Sequence, residues 1–133
     1  MNLSKESYKK IIDDLRDGLY IVDRDRRIVF WNHAAEAISG FSAEEVVGHK
    51  CADNLLCHVD DSGVNLCCGD CPLGAVIATG EHHDTDIFLH HKNGHRVPVS
   101  VRVTPLADED GNIIGGVEMF SDNSNSAAST LRL

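Results

Sequence analysis

Between Val97 and Val103 valine alternates with Pro98, Ser100 and Arg102, so one face of this segment is apolar and the other wet. That period of two is the signature of a half-buried strand. The run follows closely on Asn93-Gly94, a dipeptide suited to the positive φ angles of a tight hairpin turn. These features commit the last third of the chain to antiparallel sheet. Strands are predicted at 84–92, 96–106 and 113–120, with Asp110-Gly111-Asn112 as the second turn. From Ser121 onward the Ser/Asn/Ala run has no core-forming pattern and reads as tail or linker.

The front of the chain supplies the remaining elements. Residues 3–17 have helical spacing, with Leu3, Tyr8, Ile11, Ile12 and Leu15 toward one side, Ser4 as N-cap, Glu6 in the first turn and Gly18 as stop. This stripe suits packing either on its own domain or on a second copy. Strands at 19–23 and 27–31 flank the polar Arg24-Asp25-Arg26 turn, and Asn32 caps a helix that runs through Ser39 to Gly40. Ser42-x-x-Glu45 is a capping box for a further short turn ending at Gly48. Residues 52–57 have the length of one or two helical turns, Asp60-Asp61-Ser62-Gly63 is turn chemistry, and Pro72 opens a helix with Leu73, Val76 and Ile77 on its apolar side and Gly80 at its end. The order is helix, two strands, short helices, three strands: an α+β domain with a cavity between sheet and helices.

The length, 133 residues, allows one such domain and excludes separate catalytic and regulatory domains. Twelve Lys and Arg against 21 Asp and Glu leave a net charge of −9 with the basic residues scattered, which argues against a nucleic-acid partner. No apolar run is long enough to span a membrane, and the start lacks the order of a secretion signal, so a cytoplasmic location is expected. All five cysteines fall within 51–71. An odd, clustered set suits a local thiol or metal feature in a reducing compartment better than a disulfide framework.

Two stretches of sequence resemble a known family. The run Gly18-Leu19-Tyr20-Ile21-Val22-Asp23, continuing through Ile28-Val29-Phe30-Trp31-Asn32 and Ala34-Ala35-Glu36 to Gly40-Phe41-Ser42 and Gly48, is similar to the opening of PAS sensory domains. Asn93-Gly94-x-x-Val97-Pro98-Val99, Thr104-Pro105-Leu106, Asp110-Gly111-Asn112-Ile113-Ile114-Gly115-Gly116-Val117 and Phe120-Ser121-Asp122 resemble the last strands and exit of such domains. The resemblance covers roughly residues 13–123 in the right order. It implies a five-stranded antiparallel sheet in the order 2-1-5-4-3 with helices on one face, and sensing rather than catalysis. It also implies a homodimer through the N-terminal helix and a downstream histidine kinase, diguanylate cyclase or similar output. The expected division is 1–17 signalling helix, 18–122 PAS domain, and 123–133 tail or linker.

The middle segment resembles a bacterial subgroup, often linked to cyclase or kinase outputs, that carries Cys, then His-Val-Asp, then Leu-Cys and Cys-Pro-Leu. Cys51, His58, Cys67 and Cys71 are the candidate ligands here, with Cys57 and Cys68 as spares. Thiolates and imidazole suit tetrahedral zinc or an iron–sulfur cluster, and Cys68-x-x-Cys71 is a chelating spacing. An unbroken helix would hold Cys51 and His58 about 10 Å apart, so either the backbone turns after Leu56 or one of the two is not a ligand. Asp60 and Asp61 are candidates to orient His58, beside their simpler turn role. Thiol redox chemistry and plain packing of small buried cysteines remain alternatives, as does a PAS domain that binds a small metabolite in its cavity.

Haem and flavin are disfavoured. No axial His stands on the helix after Pro72, which leaves haem only His58 or a strand His. The Asn-Cys-Arg-Phe-Leu-Gln motif of photoactive flavin domains is replaced by Lys50-Cys51-Ala52-Asp53, and the Val97 to Val103 strand has no Asn or Gln. His82, His83, His90, His91 and His95 crowd one hairpin and read as solvated surface, with a second metal site as the alternative. No Cys-His-Asn/Asp constellation marks a thiol enzyme.

Overall fold

Short polar side chains start the helices. Ser4 accepts from the Ser7 N–H at 3.1 Å and begins α1 (Lys5–Asp13), and Asn32 accepts from the Ala35 N–H at 2.9 Å and begins α2 (His33–Ser39). Ser42 and Glu45 exchange a full capping box at α3 (Ala43–Val46). Gly40 ends α2 at φ 81, a left-handed angle that an L side chain rarely adopts. The computed structural model describes residues 2–50 and 72–124. Within them these helices and α4 (Pro72–Thr79) accompany β1 (Gly18–Asp23), β2 (Ile28–Trp31), β3 (His83–His90), β4 (Arg96–Ala107) and β5 (Ile113–Asp122).

The strands form one antiparallel sheet in the order β2-β1-β5-β4-β3, the order that the resemblance implies. Val97, Val99, Val101 and Val103 are all buried, as their alternation predicts, and they join Tyr20, Val22, Ile87, Leu89 and Phe120 in the core. Leu73, Val76 and Ile77 of α4 complete it. Tyr20, Trp31 and Phe120 make an aromatic trio with ring centroids 5.3 to 6.3 Å apart, and the Trp31 indole N–H donates to the Phe41 carbonyl at 3.0 Å. Trp31 is therefore core.

The sequence expectations shift by two or more residues in three elements. The N-terminal helix is Lys5–Asp13 and not 3–17, and none of its residues is buried. Asn32 causes the early stop: its side-chain amide donates to the carbonyls of Ile12 at 2.9 Å and Asp17 at 3.1 Å, which draws the chain out of the helix toward β1. β3 ends at His90 because the next amides turn away, His91 N–H to the His95 carbonyl and Lys92 N–H to the Ser39 carbonyl. β5 runs on to Asp122, since Ser121 and Asp122 pair with Ser100 and Val99, and ladder bonds form through backbone whatever the side chains.

Candidate sensing site

The segment that carries the cysteines is bracketed by two firmly held anchors. On its entry side the Gly48 N–H donates to the Ile28 carbonyl at 2.8 Å, the Ile28 N–H to the His49 carbonyl at 2.9 Å, and Lys50 makes a bridge with Arg27. The Arg27 guanidinium adds a bond to the Gly48 carbonyl at 3.0 Å. On its exit side α4 lies on the sheet. A Cβ built at Gly116 of β5 would stand 2.9 Å from Leu73 Cδ2 and 3.5 Å from Ile77 Cγ1, so the absent side chain at Gly116 is what lets α4 approach. Cys51, Cys57, His58, Cys67, Cys68 and Cys71, with Asp60 and Asp61, lie outside the described residues.

Next along the same face of β5 stands a group that the sequence reading missed. Glu118 is 1% exposed, opposite Tyr20 on β1 and Val103 on β4. Among the described residues Asn32 and Ser39 are equally deep. Asn32 binds Leu19 and Ala35 as well as the two carbonyls above, and Ser39 donates to the Ala35 carbonyl and accepts from Phe41. Burying a carboxyl in the core-facing side of a sheet is costly, and such groups concentrate where a protein handles a ligand or a charge. The signal was present in the sequence: Gly116, Glu118 and Phe120 share one strand face by their spacing of two.

The exit of the domain is tied to the far edge of the sheet. The Asn123 N–H donates to the Pro98 carbonyl at 2.8 Å, the Asn123 side-chain amide donates to Ser100 Oγ, and Ser100 Oγ donates to Asp86 Oδ1 at 2.9 Å. Asp86, Ser100 and Asp17 line an open groove of about 450 Å³ on the outer face of the sheet, so the segment that leads into β1 and the exit from β5 meet there.

Among the described residues no three His, Cys, Asp or Glu side chains are grouped to hold a metal ion. His82 and His83 are exposed, whereas the His91 and His95 rings stack. Burial, then the proximity of His95 and His90, hold His91 below the ordinary imidazole pKa. Glu45 accepts from Lys92 Nζ at 2.7 Å, and this bond, helped by the Ser42 N–H, holds its carboxyl below the usual carboxylate range. Among the described residues no helix is long and apolar enough to cross a membrane.

Comparison with known proteins agrees with this architecture. The probable diguanylate cyclase DgcE of Escherichia coli (strain K12) is 28% identical over 121 residues, which cover 89% of this chain and 10% of that protein. The chain thus spans a small fraction of the curated relative it matches. The PAS domain of a protein from Colwellia psychrerythraea superposes with a TM-score of 0.72 at 20% identity, covering 88% of this chain and 94% of that one. The Vibrio cholera VqmA–ligand–DNA complex does so with a TM-score of 0.72 at 19% identity, covering 98% of this chain and 58% of that one. A family model described as PAS fold matches residues 12–128, nearly the whole of the sheet-and-helix unit described above. This chain belongs to the PAS fold family, whose members sense signals and leave catalysis to other domains.

Proposed function

We propose that this chain is the input domain of a bacterial signalling protein and takes its signal at Cys51, His58, Cys67 and Cys71, with Cys57 and Cys68 as spares. The four groups bind zinc or an iron–sulfur cluster, or two of the thiols cycle to a disulfide. One observation carries the reading: α4 begins at the residue after Cys71 and rests Leu73 against Gly116 of β5, the strand that leaves the domain at Asp122. A change in the bonding of Cys71 therefore pulls on a helix seated on the exit strand. Cys71 also precedes a helix N-terminus, where unpaired N–H groups favour the thiolate that metals and disulfide exchange both require.

The test uses Cys67→Ser/Cys71→Ser. In the wild-type protein, stripping metal or changing redox state is expected to alter hydrogen exchange along Gly116 to Phe120 and at Asn123 by about tenfold or more, and in the double variant not at all. An equal change in both proteins would remove the cysteines from the signal path.

A second reading has its own supporting observation, the Glu118 carboxyl buried opposite Tyr20 on the core-facing side of β5, a polar group where a small metabolite would be held. The VqmA complex, in which that protein holds a ligand, lends it fold-level support. A small molecule released by denaturing the wild type and the cysteine double variant in equal yield would favour this reading over the first.

The output is proposed to lie in a further domain or a partner, of cyclase or kinase type, in keeping with the short share of DgcE that is matched. The domain is proposed to dimerise through α1, whose Tyr8 and Ile11 are 55% and 52% exposed beside Leu3. Ile11→Asp is expected to shift the protein from dimer to monomer in analytical ultracentrifugation; a wild type that is monomeric at high concentration would refute the dimer.

A further inference from the structure

The tip of the β3–β4 hairpin is fastened to the corner between α2 and α3 by three contacts. The Lys92 N–H donates to the Ser39 carbonyl at 2.9 Å, Lys92 Nζ meets Glu45 Oε2 at 2.7 Å, and the His91 ring lies over Gly40, where a Cβ would stand 2.6 Å from Cε1. Behind this contact the His91 and His95 rings stack, 4.3 Å between centroids and 17° between planes. His91 Nδ1 accepts from the Asn93 N–H at 3.0 Å. A ring nitrogen that accepts a backbone N–H carries no proton of its own, and since His⁺ is a donor at both nitrogens, this arrangement holds His91 short of the imidazolium.

We propose that the His91–His95 pair is an acid-sensitive latch, which holds the hairpin tip on the α2–α3 corner while neutral and releases it when protonated. A proton on His91 Nδ1 points at the Asn93 N–H and ends that bond, and a second charge on His95 repels the first across stacked rings. The burial of His91 and its histidine neighbours act in the same direction. The docked form binds its proton less readily than the released form, in which the ring returns to a value of about 6.5. Docking is therefore at full strength above that pH and is lost as pH falls through the lower docked-state value.

The surrounding charges leave this window to the histidines. On α3, Glu45 is held ionised by Lys92, and Glu44 is exposed. On α2, His33 is exposed and the Glu36 carboxylate accepts from the Ala43 N–H at 2.7 Å. His90, Lys92 and Arg96 are the other charged or titratable groups at the hairpin tip; the proximity of His90 disfavours a proton on His91, and Lys92 Nζ is engaged by Glu45. The carbonyls at the end of α2 would favour a cation, but the Gly40 and Lys92 amides already occupy those of Glu36 and Ser39. The latch needs none of the cysteines, so its failure would leave the proposed thiol or metal input untouched.

Hydrogen exchange of the Lys92 amide, corrected for the intrinsic effect of pH, tests the latch in the full chain. Between about pH 7.5 and about pH 5 its protection is expected to fall roughly tenfold or more, while the Leu89 and Val99 amides within the strands stay unchanged. In His91→Phe/His95→Phe, which keeps two flat rings and loses the protons, protection is expected to persist at both pH values. Should that variant fail to fold, the wild-type His91 ring resonance is expected to titrate in step with the Lys92 amide shift. Unchanged Lys92 protection in the wild type, an equal loss in the folded variant, or an amide that moves independently of His91 would each overturn the latch.

Discussion

Gly115→Ala is expected to cost about 3 kcal/mol or more and to leave the domain largely unfolded. A Cβ at this position would stand 2.0 Å from the Val22 carbonyl oxygen and 3.2 Å from Asp23 Cα. Both obstacles are backbone, and both belong to β1 where it pairs with β5 through Val22↔Gly116 and Asp23↔Gly115. The clash can be relieved only by parting β1 from β5, because no side chain there has a rotamer to change. Gly111→Ala is the control: at φ 83 it carries backbone strain, but nothing lies within 4 Å of its Cβ, so a loss of about 1 kcal/mol is expected. Urea denaturation of the two variants measures the contrast, and a Gly115→Ala protein within about 1 kcal/mol of wild type would contradict the β1–β5 spacing described here.

Asn32→Ala is expected to cost about 3 kcal/mol and to free α1. The side chain accepts from Leu19 and Ala35 at 2.9 Å each and donates to the carbonyls of Ile12 and Asp17. Alanine removes a helix cap worth about 1 kcal/mol and strands buried partners worth about 1 to 3 kcal/mol more. Since α1 buries no residue of its own, the two donated bonds are a large part of what ties it to the sheet. Asn32→Asp separates the two roles: the oxygens still accept, but a carboxylate now faces two carbonyls. Residues 2–17 are then expected to become the first site of proteolysis while α2 stays capped, and equal proteolytic resistance to wild type would show that α1 is held by other contacts. This tether matters for signalling, because a helix attached at one end by a single amide can pivot without disturbing the core.

Much of this architecture is legible in the sequence because it rests on local rules. Valine alternation from Val97 to Val103 and the Asn93-Gly94 turn locate β3 and β4, and Asn32, Gly40 and the Ser42/Glu45 box locate α2 and α3. The misjudged length of α1 has the opposite cause: its stop is imposed by Asn32, far along the chain, and not by Gly18. Glu118 was hidden because a Glu in a strand suggests the wet face, although its spacing from Gly116 and Phe120 places it on the dry one. His91 and His95 look like separate surface residues until the register Leu89↔Val97 and His90↔Arg96 folds the turn and stacks their rings. The cysteine segment differs from all of these. Ligand type and spacing can nominate Cys51, His58, Cys67 and Cys71, but convergence of four groups is a long-range property that no local rule encodes.

The proposed input requires that the cysteine segment be chemically engaged and move α4 on β5. Metal and labile-sulfide analysis of protein purified without oxygen, paired with titration of native thiols, decides whether it is engaged. Bound zinc or iron, or a disulfide, is expected, and in either case fewer than five reactive thiols per chain until the protein is denatured and reduced. A metal-free protein with all five thiols freely reactive in the native state would contradict it.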